Sequence, residues 1–116
     1  EKLHIPPFTE VYEIDGPFFF GLASKIDEFD RFRGEKLKVR VIRMRRVPFI
    51  DSTGLNNLRN LYLRSKKEGI RMVLSGVTEK VHASIRKSGF AAEIGEENIL
   101  PHITPAMKRA KELLDE

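Results

Sequence analysis

Cysteine and tryptophan are both absent from the 116 residues. Without cysteine there is no disulfide framework, no thiolate metal site and no cysteine nucleophile, and a reducing compartment is the natural setting. Long apolar runs are missing too: nothing approaches the ~20 residues that span a bilayer as a helix. The three histidines, His4, His82 and His102, show no ligand spacing, so no metal site is expected. No nucleophile-elbow pattern surrounds a serine. The hydroxyls of Ser52 and Thr53 have no evident base, His82 being the nearest histidine in sequence. No catalytic residue is therefore assigned, and the chain is not expected to be an enzyme. Zinc-finger spacing and basic runs interleaved with aromatics are also lacking, so nucleic acid is not an expected partner.

What is present fits one domain with one core, residues 1–116. The chain opens on Glu1 rather than Met, which suggests a piece of something larger. Its net charge is +4, unevenly placed. Arg40, Arg43, Arg45 and Arg46 fall close together, and Arg64, Lys66, Lys67 and Arg71 follow. Such a face can meet anionic lipid or an acidic partner, or can be ordinary solvated surface. Because the first four arginines flank an apparent central strand, some of them can equally be buried or paired.

Periodicity supplies the architecture. TEVYEI (9–14), KVRVIRM (38–44) and IRMVLSG (70–76) read as strands, with KLHI (2–5) a short partner strand and NILPHI (98–103) a further short one. Helical spacing appears at Leu22, Ala23, Ile26, Phe29 and Phe32, with Gly34 as a stop. It returns at Leu55, Leu58, Leu61 and Tyr62, closed by Gly69. A third helix opens at Thr78 and ends at SGF (88–90). A fourth has Thr104 as cap and Pro105 in the first helical position. The expectation is an α/β fold, a small mostly parallel or mixed sheet of four to five strands with four helices.

In such a sheet, sites lie beyond the carboxyl ends of the strands. Asp51, Ser52, Thr53 and Gly54 fall there, at the mouth of a helix, and Ser75 and Gly76 on the neighbouring loop. The helix dipole and free N–H groups favour a phosphate there, on a hydroxyl or on a ligand. Asp51 opposes one unless its charge is offset, and its plain alternative role is the N-cap. The three consecutive phenylalanines Phe18, Phe19 and Phe20 cannot all enter one core from a loop. Either a local twist packs them or one, taken as Phe19, stays at the rim to touch a partner.

The stretch VPFIDSTGLNNLRNLYLRSKKEGIRMVLSGV (47–77), with EVYEIDGPFFFG (10–21) before it, resembles the STAS domains. That family groups stand-alone anti-sigma-factor antagonists with the cytoplasmic C-terminal domains of SulP-type anion transporters. The aromatic DGPFFFG and the arginine-rich IRMRRVPFIDSTGL (42–55) are similar to the transporter branch. The resemblance implies a cytosolic regulatory module at the cytoplasmic face of the inner or plasma membrane, modulating transport of a sulfate-like anion. Its implied partners are the transmembrane domain of the same transporter, a cytosolic protein and anionic lipid. Phe19, Arg45, Arg46, Asn56 and Asn57 form the implied contact surface. No cofactor is required; a nucleotide, proposed for the family, would set its phosphates near Asp51–Gly54 and Ser75–Gly76. The alternative is a stand-alone antagonist phosphorylated at Thr53, the hydroxyl before the glycine, with Ser52 as neighbour.

Overall fold

Three β-branched and aliphatic runs make the sheet. In the structure, a computed structural model that describes residues 3–16 and 36–116, they are β1 (Thr9–Asp15), β2 (Val39–Arg46) and β3 (Arg71–Ser75). All pairings are parallel, in the order β1-β2-β3. Parallel neighbours need crossovers, and a strand covered on both faces can carry a nearly continuous apolar run. Central β2 does so, buried from Val39 to Met44.

Helices α1 (Ser52–Lys67), α2 (Glu79–Ser88), α3 (Phe90–Ile94) and α4 (Ile103–Leu114) cover the sheet, with a 3-10 turn at Glu96–Asn98. Strand side chains alternate between faces, and the buried clusters follow that alternation. Ile42, Met44, Met72 and Leu74 pack with Leu58 and Leu61 of α1, Val81 and Ile85 of α2 and Phe90 of α3. Val39, Val41 and Val73 pack on the other face with Ala106, Ala110 and Leu113 of α4.

Local chemistry sets the helix ends. Thr78 caps α2 by accepting from the Val81 N–H at 3.2 Å. Gly89 ends α2 in the left-handed region at φ +90°, where a side chain is strained.

Several expectations need correction. The described residues hold three strands, not four to five. Leu3–Ile5 pair with nothing in the sheet, because Pro6 and Pro7 follow at once and offer no N–H groups to a ladder. The stretch 98–103 contributes only a single bridge, Ile99 to Leu74. It is hemmed in by the turn at Glu96–Asn98 on one side and Pro101 on the other. α4 begins earlier than expected: His102 is its N-cap, without a side-chain hydrogen bond, and Thr104 and Pro105 lie inside the first turn. Proline is tolerated there because that N–H has no intrahelical partner to lose. The five-residue α3 was not expected at all. The helix expected across 19–32, and with it Phe18, Phe19 and Phe20, lies outside the described residues.

Candidate functional site

β2 delivers the chain through Val47–Ile50 to the mouth of α1. Asp51 takes the N-cap position with extended backbone, φ −101° and ψ −177°. Its Oδ1 accepts from the Gly54 N–H at 2.8 Å, and its carbonyl accepts from the Leu55 N–H at 2.9 Å. The carboxylate therefore meets one of the orphan donors at the helix start and complements the dipole. Ser52 and Thr53, the first two helical residues, are exposed, and Gly54 is buried behind them.

The neighbouring loop leaves β3 through Ser75 and Gly76. Gly76 has φ +68°, and a Cβ there would lie 2.8 Å from the Arg45 amide nitrogen and 2.9 Å from its Cα. The glycine thus seats this loop against the end of β2. Ser75 is fully buried, and its Oγ has no hydrogen-bond partner among the described residues. It follows Val73 in the alternation, so it faces the α4 side of the sheet, whereas α1 covers the other side. The six loop residues thus divide. Asp51, Ser52, Thr53 and Gly54 form one mouth, Gly76 abuts Arg45, and the Ser75 hydroxyl points away from α1.

Arg45 and Arg46 are exposed and share one acid. Glu13 accepts from Arg45 Nη2 at 3.1 Å and from Arg46 Nε at 3.0 Å. Asn56 is exposed and Asn57 half-buried on α1. Phe19 lies outside the described residues.

A groove of about 530 Å³ opens beside the mouth. Ser52, Asn56 and Arg59 line its α1 side, and Ser88, Gly89 and Glu93 the facing side. Arg59 clamps it: Nε and Nη2 donate to the two Glu93 carboxylate oxygens at 2.7 and 2.9 Å. Tyr62 donates to the Glu93 carbonyl at 3.1 Å and meets the Phe90 ring edge-on, centroids 5.5 Å apart. Sequence reasoning missed this clamp, because residues 34 apart carry no local signal. Phe90 and Glu93 on a five-residue helix are too few to register a period.

A second charged knot lies next to it. Arg86 donates through Nε and Nη2 to Glu96, each at 2.9 Å, and His82 Nε2 meets the same carboxylate at 2.9 Å. Held chiefly by the hydrogen bond from Arg86, the Glu96 carboxyl is lowered to about 2. Among the described residues no three histidine or acidic side chains converge to hold a metal ion, and no helix is long and apolar enough to cross a membrane.

A parallel sheet covered by helices on both faces, with a carboxylate-capped helix mouth and two exposed hydroxyls beyond it, defines an α/β domain whose distinctive surface is that mouth. The chain belongs to the STAS domain family, whose model matches residues 3–109. Among solved structures it is similar to a sulfate transporter family protein from Wolinella succinogenes, 38% identical, TM-score 0.86, covering 98% of this chain and 93% of that one. It is also similar to the SulP transporter STAS domain from Vibrio cholerae, 28% identical, TM-score 0.84, covering 97% and 88%. The putative sulfate transporter YvdB of Bacillus subtilis (strain 168) is 24% identical over 97 residues, 83% of this chain. The chain spans 18% of the length of that protein.

Proposed function

We propose that this chain is the cytosolic regulatory domain of a SulP-type transporter of a sulfate-like anion. It conducts nothing itself. It docks against the membrane domain of the same transporter or against a cytosolic protein, and the Asp51–Gly54 mouth is the contact or switch point. Similarity to sulfate transporter proteins over nearly the whole chain supports the setting. The observation that carries the mouth is that Ser52 and Thr53 both stand exposed, Ser52 on the lip of the groove, while Asp51 is engaged as cap. A phosphate on either hydroxyl would meet the positive end of α1, with the Asp51 charge already hydrogen-bonded.

The exposure of Thr53 also favours a second reading, a stand-alone antagonist switched by phosphorylation there. Fractionation of source cells, probed with an antibody against this domain, separates the two. A membrane-bound species several times larger than the fragment is the expected result. A soluble species of the fragment's own size sinks the transporter reading and directs attention to a kinase acting on Thr53.

A further inference from the structure

The two ends of the sheet differ in how their charge is balanced. At the carboxyl end, Glu13 engages both Arg45 and Arg46, Asp15 stands opposite Arg46 in register, and Arg43 is buried. These arginines are matched by acids or withdrawn from solvent. At the amino end, Lys36, Lys38, Lys66, Lys67 and Arg71 are all exposed. Among the described residues, the acids paired near them are Glu68 and Glu116. Glu68 lies 3.9 Å from Arg64, and Glu116 lies 3.8 Å from Arg71, both at the outer limit of an ion pair.

Contacts make this amino-terminal rim continuous. The Arg71 N–H donates to the Lys38 carbonyl at 2.9 Å, and the Lys38 N–H donates to the Phe8 carbonyl at 2.8 Å. The Lys38 ammonium lies 5.1 Å from the Phe8 ring centre. Lys66 and Arg71 flank a hollow of about 260 Å³ floored by Ile70 and Met72. Phe8 itself is 43% exposed and sits at φ +56°, a left-handed conformation that strains a residue with a side chain. Ile5, three residues before it, is 46% exposed. The rim thus combines exposed apolar groups with an excess of cations.

We propose that this rim, built on Phe8, Lys38, Lys66, Lys67 and Arg71, seats on an anionic phospholipid surface. The ammonium and guanidinium groups meet headgroup phosphates, and the Phe8 ring enters the interface between headgroups and acyl chains. Long lysine stems reach such a surface without fixed geometry. An acidic peptide is the poorer fit, because carboxylates are recognised best by the arginine fork and the rim core carries one arginine among three lysines. The choice of lipid rests on the reading of the chain as part of a membrane transporter, which puts a bilayer within reach. The location is new: the arginines near the helix mouth are not the lipid contact, and with the rim on the bilayer the mouth is left facing a cytosolic protein rather than the membrane domain.

The test is co-sedimentation of the 116-residue chain with vesicles of phosphatidylcholine alone and of phosphatidylcholine with phosphatidylglycerol, at low salt. Binding to the anionic vesicles only is expected, with loss in high salt. Each cation removed should weaken it about fivefold, so the triple variant Lys38→Gln, Lys66→Gln, Arg71→Gln should fall about a hundredfold. Phe8→Ser should weaken it by a smaller factor, and Arg45→Gln with Arg46→Gln should leave it unchanged. Far-UV circular dichroism confirms that each variant is folded. Equal binding to neutral vesicles, retention by the triple variant or loss in the Arg45/Arg46 variant overturns the proposal. So does displacement from vesicles by millimolar inorganic phosphate, which would mark a free-phosphate site. Capture of a polyglutamate peptide without vesicle binding assigns the rim to an acidic protein instead. The two readings fail separately: a soluble species in cells whose purified domain binds anionic vesicles keeps the rim and loses the transporter, and a membrane species whose domain ignores vesicles does the reverse.

Discussion

The backbone of Arg45 occupies the space that a side chain on Gly76 would need, with only 2.8 Å between the Arg45 amide nitrogen and an added Cβ. Backbone at the end of a central strand cannot swing aside as a flexible side chain can. Gly76→Ala therefore meets both a clash and a positive φ. It should cost about 2 kcal/mol or more, measured as a lower urea midpoint with unchanged slope. Wild-type stability in that variant would show that the loop sits less tightly on β2 than described.

Arg40 is almost wholly buried beneath α1, with Nη1 donating to Ser65 Oγ at 2.7 Å and Nε to Glu10. Breaking a buried ion pair from one side removes the opposite charge that offsets the desolvation of the other. Glu10→Ala should destabilise by about 3 kcal/mol. Ser65→Ala, which removes one hydrogen bond to a charged group, should cost about 1.5 kcal/mol. Equilibrium unfolding of both variants tests the order; a milder Glu10 variant would contradict it.

Asp51 serves α1 as cap, so its stability contribution can be separated from any role in docking. Asp51→Ala should lose about 1 kcal/mol, whereas Asp51→Asn keeps an accepting oxygen and should stay within a few tenths. If Asp51→Asn folds normally yet disturbs transport in the transporter proposed to contain this domain, the negative charge acts beyond the cap. Thermal unfolding and a transport assay give the two readouts.

Ser75→Ala should be neutral or slightly stabilising, by up to about 1 kcal/mol, because the buried hydroxyl it removes has no partner among the described residues. A clear loss of stability would show that Oγ has a partner, such as a buried water.

The Glu96 knot carries a pH dependence of defined sign. Its carboxyl is lowered from 4.5 to about 2, first by the hydrogen bond from Arg86. A depressed carboxyl stabilises the fold above its unfolded value, and that contribution disappears as pH falls from about 4.5 to about 2. Glu96→Gln should flatten the acid limb of the stability profile over this window. An identical acid limb in wild type and variant would place the proton uptake elsewhere.

Legibility in the sequence followed the range of the interaction. Val39, Val41 and Val73 announce buried strands by composition, and Asp51, Thr78 and Gly89 announce helix ends by chemistry acting within three or four residues. D-S-T-G taken together with G-P-F-F-F-G and L-S-G-V carries the family resemblance, and the family model matches residues 3–109. The α1 cap was legible for the same reason, whereas the Arg59–Glu93 clamp and the Gly76–Arg45 seat join residues about thirty apart. The arginines of β2 show the boundary. Their place on a central strand suggested burial or pairing, but only the fold distinguishes Arg40, buried on Ser65, from Arg46, exposed on Glu13. Leu3–Ile5 misled because a short apolar run says nothing of the two prolines' effect on pairing.

Central β2 runs eight residues from the basic rim toward the helix mouth, a length of roughly 25 Å at ~3.3 Å per residue. Counterions in physiological salt damp an exposed charge over about 8 Å. A phosphate added at Ser52 or Thr53 would therefore lie roughly three screening lengths from Lys38 and Arg71, so the sheet acts as an electrical spacer. A charge written at one end of the domain can be read by a protein arriving from solvent without altering how the other end is held.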